Sequence, residues 1–250
     1  MIYEAVAGCV TETYHVSSDS RANATRSIHL ILAPGNPGAL SFYLPFLKHL
    51  HEGLEKSFGS DSTLVGCHGC SHANHGFRDE HDDDDLSFFA KEYDFLEQIE
   101  HFEAFCEMIL ARDRDQLGLG LDDIQLILVG HSIGAYMVID VLSRNERLRQ
   151  HTVALEILMP FIWWSNLNLA HRTKLRFYLS TPDSISKWLG SKVYRMQSQL
   201  KEHSRTRLIQ SSHPEMDVDA VDVTANIMLS GRLIANFFSM ARGEVQAVIA

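Results

Sequence analysis

The chain has 250 residues, 45% hydrophobic and 22% charged, a balance that fits one globular domain with a sizeable core and excludes a disordered polymer. Its 32 acidic against 22 basic side chains leave a formal net charge of -10 at pH 7, which denies it the basic face that nucleic acid binding requires. Four cysteines do not make a disulfide framework at this length, the N-terminal stretch lacks a basic region followed by an apolar one, and no run approaches the roughly 20 apolar residues of a membrane span, so free thiols in a reducing compartment, no secretion and no transmembrane helix are expected.

In chain order, Ala5 to Val16 reads as a hairpin turning at Ala7-Gly8. Ser27 to Ala33 is a β-rich apolar run stopped by Pro34 and Gly35. Tyr43, Phe46, Leu47, Leu50 and Leu54 then recur at helical spacing, and a short strand is expected over Thr63 to Cys67. Residues 86–111 read as a long helix, since Phe89, Leu96, Ile99, Phe102, Phe105, Cys106 and Ile109 keep to one face. Asp82 to Asp85 reads as a solvated loop, because four adjacent carboxylates cannot all face one ion. Core strands return at Ile124 to Val129 and Ala154 to Met159. Strands alternating with helices predict an α/β fold, a mostly parallel sheet covered on both faces. After about residue 165 basic residues mix with aromatics, Pro182 and Pro214 punctuate, and no further buried strand appears. Residues 1–165 are therefore read as the core and residues 166–250 as a helical cap or insertion of the same domain. Its last stretch, Val221 to Ala250, is apolar at helical spacing.

Gly130-His131-Ser132-Ile133-Gly134 fits G-x-S-x-G, whose glycines let a strand turn sharply into a helix and expose the serine hydroxyl at the carboxyl edge of the sheet. It follows an apolar strand and precedes the apolar stretch Ala135 to Leu142, the context such an elbow needs, and so Ser132 is the candidate catalytic nucleophile. Pro34-Gly35-Asn36-Pro37-Gly38 follows an earlier strand, where a serine hydrolase places a loop that helps bind the tetrahedral oxyanion. Pro37 has no N–H to give, so Asn36 is the expected donor there, and the backbone N–H of Ile133, directly after the nucleophile, is the second. Cys67, His68, Cys70, His72 and His75 crowd into GCHGCSHANHG and raise the question of zinc. Structural zinc joins two pairs about a dozen residues apart, and these ligands share one short stretch, so no metal is expected and a loop beside the active-site mouth is preferred.

These residues resemble the lipid droplet-associated hydrolase family, an α/β-hydrolase group linked to esters of sterols and other neutral lipids. The likeness rests on Leu32-Ala33-Pro34-Gly35-Asn36-Pro37-Gly38 with Phe42-Tyr43, on Ser71-His72-Ala73 with His75, on Gln98-Ile99-Glu100-His101 with Ala104-Phe105, and on Val129 to Gly134 with Tyr136. Leu229-Ser230-Gly231 with Ile234-Ala235-Asn236 adds a looser match. The resemblance implies an α/β-hydrolase-type sheet with helices on both faces and a helical cap. It implies a serine esterase or lipase-like activity on neutral lipid esters, without a cofactor, in lipid storage and turnover, and association with the surface of lipid droplets or endoplasmic reticulum.

A serine hydroxyl needs a histidine to take its proton and a carboxylate to orient that histidine, and in this fold they follow the serine in the order acid, then histidine. The resemblance places them on later strands, which are missing here. Asp183, Asp217, Asp219, His171, His203 and His213 follow Ser132, but none follows a strand that would aim it at the elbow. His131 points away on the turn, and His101 is expected to play a surface or supporting part on its helix. A truncated product and a diverged member that lost the chemistry both fit this pattern. Two other functions remain open: a non-catalytic lipid-surface protein whose Phe161, Trp163 and Trp164 sit at the interface, and acyl transfer to an acceptor other than water.

Overall fold

The structure, a computed structural model, describes residues 1–18, 24–75, 93–160, 202–229 and 231–249, with scattered positions between 173 and 200. Its internal contacts divide the chain into two compact units, Met1–Gly76 with Leu96–Ile162, and Phe77–Phe95 with Trp163–Ala250.

The first unit is built on a six-stranded sheet. Strands β1 (Ile2–Val6) and β2 (Cys9–Ser17) form the expected hairpin. Ala7 and Gly8 both take positive φ, 48° and 78°, the two-residue turn whose twist matches that of the flanking strands. β3 (Arg26–Ala33), β4 (Thr63–Cys70), β5 (Ile124–His131) and β6 (Thr152–Leu158) follow, and the order across the sheet is β1-β2-β4-β3-β5-β6. β2 meets β4 antiparallel, while β3, β4, β5 and β6 run parallel. β4 reaches three residues beyond the span its apolar run predicts, and all eight of its residues are buried.

Alternation along the strands sorts their side chains onto two faces. Leu30, Leu32, Cys67 and Val129 turn to one face and pack with Leu47 of α1 (Leu44–Phe58) and with Leu40 of the short turn before it. Beside α1 an apolar groove runs along this face, lined among others by Phe46, Leu50, Leu54, Ile127, Ala154 and Leu158. The other face carries α2 (Phe95–Leu117), which buries Ile99, Phe102, Phe105, Cys106, Ile109, Leu110 and Asp113. The helix expected over 86–111 is thus shifted: Tyr93 and Asp94 are not helical, residues 86–92 lie outside the described residues, and the helix runs on to Leu117. The acidic run 82–85 also lies outside them.

α3 (Ile133–Arg144) and α4 (Glu146–His151) complete this unit. Between them Asn145 accepts from the Leu148 N–H at 2.9 Å as an N-cap, and its amide donates to Glu103 of α2 at 2.8 Å. Arg144 reinforces that junction through an ion pair to Glu103 at 2.7 Å. Beyond β6 the described residues contain no further strand, so β6 pairs only with β5 among them and leaves Val153 and Met159 exposed.

The second unit is helical in its described part. It includes α5 (Glu202–Ser212), α6 (Val218–Leu229) and α7 (Gly231–Ile249), with Ile209, Val221 and Ala225 packed around Met216. The apolar stretch read as one run from Val221 is two helices. No helix among the described residues is long and apolar enough to cross a membrane.

Candidate active site

Ser132 stands between the last residue of β5 and the first of α3, at φ 54° and ψ -119°. A side chain rarely adopts this backbone, and holding it there costs on the order of 1–3 kcal/mol, which the surroundings must over-determine. They do so with close packing and hydrogen bonds. The Ser132 N–H donates to the Leu158 carbonyl at the end of β6 (2.9 Å), and the Ser132 carbonyl accepts from Ala135 (3.2 Å). A Cβ on Gly130 would lie 2.5 Å from Ala135 Cα, and one on Gly134 would lie 2.2 Å from the Ala33 carbonyl oxygen. Both motif glycines are thus spaces through which α3 approaches the sheet.

The loop after β3 lies against the same serine. A Cβ on Gly35 would stand 2.9 Å from Ser132 Cβ and 2.7 Å from His131 Nδ1. Pro34 and Pro37 have no N–H; those of Gly35 and Gly38 are spent on Tyr43 Oη (2.9 Å) and on the Gly35 carbonyl (2.7 Å). Tyr43 Oη, which accepts from Gly35, also lies 2.7 Å from His131 Nδ1 and so ties the loop to the elbow. Burial lowers the pKa of His131 and favours the neutral ring. Tyr43→Phe would strand the Gly35 N–H and is expected to cost about 1–2 kcal/mol, read as a lower urea midpoint.

The histidine-rich stretch after β4 is the scaffold of this loop. His72 donates from Nε2 to the Pro34 carbonyl (3.1 Å), and His75 Nδ1 bonds the Pro37 carbonyl. The His72 N–H donates to the Gly38 carbonyl at 2.9 Å, and the Leu40 N–H donates to Ser71 Oγ, also at 2.9 Å. Burial first, then His75, pushes the His72 pKa far down, so the imidazole acts as a neutral strut. Gln98 of α2 in turn grips Ala73, accepting from its N–H at 2.7 Å and donating to its carbonyl at 3.1 Å. His101 is buried, which leaves the supporting one of its two expected parts: its Nε2 meets Thr11 Oγ1 at 3.1 Å, and burial lowers its pKa to about 4. Cys67 and Cys70 lie on one strand three residues apart, and that odd spacing sends their side chains to opposite faces of the sheet, so they cannot share an ion. No group of metal-binding side chains occurs among the described residues.

The structure brings Ser132 and the 34–38 loop together and places Ile133 as the first residue of α3. Among the described residues, no hydrogen bond joins Ser132 Oγ to a histidine. His203, Asp217 and Asp219 belong to the second unit and are exposed there. His213 is exposed as well, 3.7 Å from Glu215, whereas His171 and Asp183 fall outside the described residues. Tyr43, which ties the loop to His131, carries no signal in the elbow motif, although it stands in the Phe42-Tyr43 pair of the family likeness.

A family model described as lipid-droplet associated hydrolase matches residues 26–250. A lipid droplet-associated hydrolase of Dictyostelium discoideum is 27% identical over 245 residues, covering 89% of this chain and 72% of that protein. One of Gallus gallus is 25% identical, covering 94% of this chain and 66% of that protein, so the chain spans about two thirds of its length. Among solved structures, an N-formylmaleamic acid deformylase of Pseudomonas putida S16 aligns at 13% identity and a TM-score of 0.48, covering 95% of this chain and 71% of that one. With an α/β-hydrolase strand order, a serine elbow and a family match over residues 26–250, the chain belongs to the lipid-droplet associated hydrolase family.

Proposed function

We propose that the chain carries the nucleophile half of a serine hydrolase acting on carboxylic esters of neutral lipids, sterol esters among them, at the surface of lipid droplets or endoplasmic reticulum. The backbone of Ser132 is the observation that carries this reading: a strained serine at a strand-to-helix turn has no structural purpose that glycine would not serve better. Ser132 Oγ attacks the ester carbonyl carbon as its proton passes to a base, and the oxyanion is held by the N–H groups of Asn36 and Ile133. Collapse expels the alcohol with a proton, and water then cleaves the acyl-enzyme to the acid. No cofactor enters. The base and its orienting acid are expected from strands that follow β6, with residues 166–250 as the helical cap. The names of the relatives support the droplet as the place of action.

A second reading, a non-catalytic droplet-surface protein, draws on the second unit. Ile185, Trp188 and Met196 are exposed there, with Lys192 above the Trp188 ring.

A fluorophosphonate probe separates the two. Labelling is expected at Ser132 and lost in Ser132→Ala, either in this chain or in a longer form that adds the share of the relatives' length this chain does not span. Absence of labelling in both forms would favour the surface protein, and reaction in the extended form alone would locate the base in the added part.

A further inference from the structure

Charge is not spread evenly along this chain. Between Glu156 and Glu215 the sequence holds nine Lys and Arg against only Asp183 and Glu202, a net charge of +7, whereas the remaining residues carry -17. The overall value of -10 therefore conceals a basic stretch, and its nine cations all belong to the second unit.

Among the described residues of this stretch, Ile185, Trp188, Lys192, Arg195 and Met196 are all helical and all exposed. Their spacing, i, i+3, i+7, i+10 and i+11, is that of one helical face. Its apolar members stand well out of the protein: Ile185 is 47% exposed, Trp188 59% and Met196 58%. The Lys192 ammonium lies 5.8 Å from the centre of the Trp188 ring, a cation–π distance, so the largest apolar side chain of the face and a positive charge act at the same point. α5 repeats the combination with Arg207 and Leu208, which are adjacent and both exposed.

Charges alone would keep such a face soluble, but they do not account for an outward tryptophan, isoleucine and methionine. Those side chains match the boundary between headgroups and acyl chains, where the amphipathic indole ring settles and where lysine and arginine keep their charges in the headgroup layer. Headgroups of net negative charge supply the counter-charge to the basic stretch. A soluble polyanion would use the cations and leave Ile185 and Met196 without a partner. The acidity of the rest of the chain does not prevent the contact. At physiological ionic strength the Debye length is about 8 Å, so the face responds to its own charges rather than to the net charge of the whole.

We propose that this face of the second unit docks on anionic phospholipid, with Trp188 at the level of the headgroups and Lys192 and Arg195 against their phosphates. This docking rests on the surface association proposed above but not on the reactivity of Ser132. It adds a selectivity to that association: a neutral headgroup layer offers Lys192 and Arg195 no net attraction, so the chain discriminates between lipid surfaces by their charge.

Flotation of the whole chain with vesicles tests this. Vesicles of phosphatidylcholine with about one fifth phosphatidylserine are expected to carry the protein, and vesicles of phosphatidylcholine alone to bind it at least about tenfold more weakly. Each basic residue near such a surface contributes about fivefold to binding, so Lys192→Gln with Arg195→Gln should weaken it by about 25-fold at an unchanged urea midpoint. Salt at about 1 M shortens the Debye length to about 3 Å and should release most of the protein. Tryptophan emission should shift to the blue on the mixed vesicles, and the shift should be lost in Trp188→Phe, which keeps Trp163 and Trp164. Equal flotation with both kinds of vesicle, flotation with neither, or full binding by the double variant would overturn the proposal. So would a blue shift that persists in Trp188→Phe, and so would retention on heparin without flotation, which would assign the cations to a soluble polyanion. Fluorophosphonate labelling of Ser132 in the same samples is a separate readout, so failure of the lipid face and failure of the hydrolase reading are told apart.

Discussion

Ser132→Gly is expected to stabilise the chain by about 1 kcal/mol while abolishing its reaction with a fluorophosphonate. The gain is the strain released at φ 54° and ψ -119°, where glycine meets no Cβ penalty. It is reduced by the greater backbone freedom of glycine in the unfolded chain, an offset of roughly 0.5–1 kcal/mol. The hydrogen bonds from the Ser132 N–H to Leu158 and from Ala135 to the Ser132 carbonyl are backbone bonds and survive the change. Ser132→Ala keeps the Cβ and with it the strain, so its stability should stay within about 0.5 kcal/mol of the natural chain. The loss of chemistry is the same in both, since the attacking oxygen is gone; in a complete serine hydrolase that loss is about 10⁶-fold in kcat. Chemical denaturation of the three proteins side by side reads the difference. A glycine variant no more stable than the alanine variant would mean that the turn stores no strain.

Features fixed by spacing along the chain could be read from it, and features fixed by long-range contact could not. Gly130, Ser132 and Gly134 lie within one turn, and its backbone shape follows from local geometry, so the strand-to-helix turn was legible. β4 was legible only as far as Cys67, because His68 and Gly69 lack the side chains of a strand. They lie in one because His68 joins His15 and His29, and because Gly69 leaves space for Leu40 and Leu47. The end of α2 failed for the same reason. The expected helix stops at residue 111, yet Asp113 lies on it and is buried against His29, 84 positions away. The C-x-x-C stretch, read as part of a loop, lies on a strand instead, where the odd spacing divides its cysteines between faces.

The same contacts explain why the 34–38 loop depends on residues that perform no chemistry. Three of its carbonyls are held from the stretch after β4: Pro34 by the His72 ring, Gly38 by the His72 N–H and Pro37 by the His75 ring. Gln98 fixes that stretch to α2 through Ala73. The position of the loop beside Ser132 is thus set by α2 and β4 as much as by the loop itself, which accounts for two blocks of the family likeness that contain no candidate catalytic residue.

Gly134→Ala is expected to destabilise the chain by about 3 kcal/mol and to lower labelling of Ser132 with it. The added Cβ would lie 2.2 Å from the Ala33 carbonyl oxygen, 2.7 Å from the Pro34 carbonyl oxygen and 2.8 Å from the Ala33 carbonyl carbon. None of these atoms belongs to a flexible side chain, so relief requires either α3 to lift from the sheet or the end of β3 to move. Lifting α3 displaces Ile133 and the elbow, because α3 begins directly after Ser132. Moving the end of β3 shifts Pro34 and the loop that lies against Ser132. Stability and reactivity must therefore fall together, which distinguishes this change from Ser132→Gly, where they part. Gly118→Ala supplies the control: at φ 65° it is strained but meets nothing within 4 Å, so its cost should stop near 1 kcal/mol and labelling should persist. Equal urea midpoints for Gly134→Ala and Gly118→Ala would show that α3 does not approach the sheet as closely as the elbow requires.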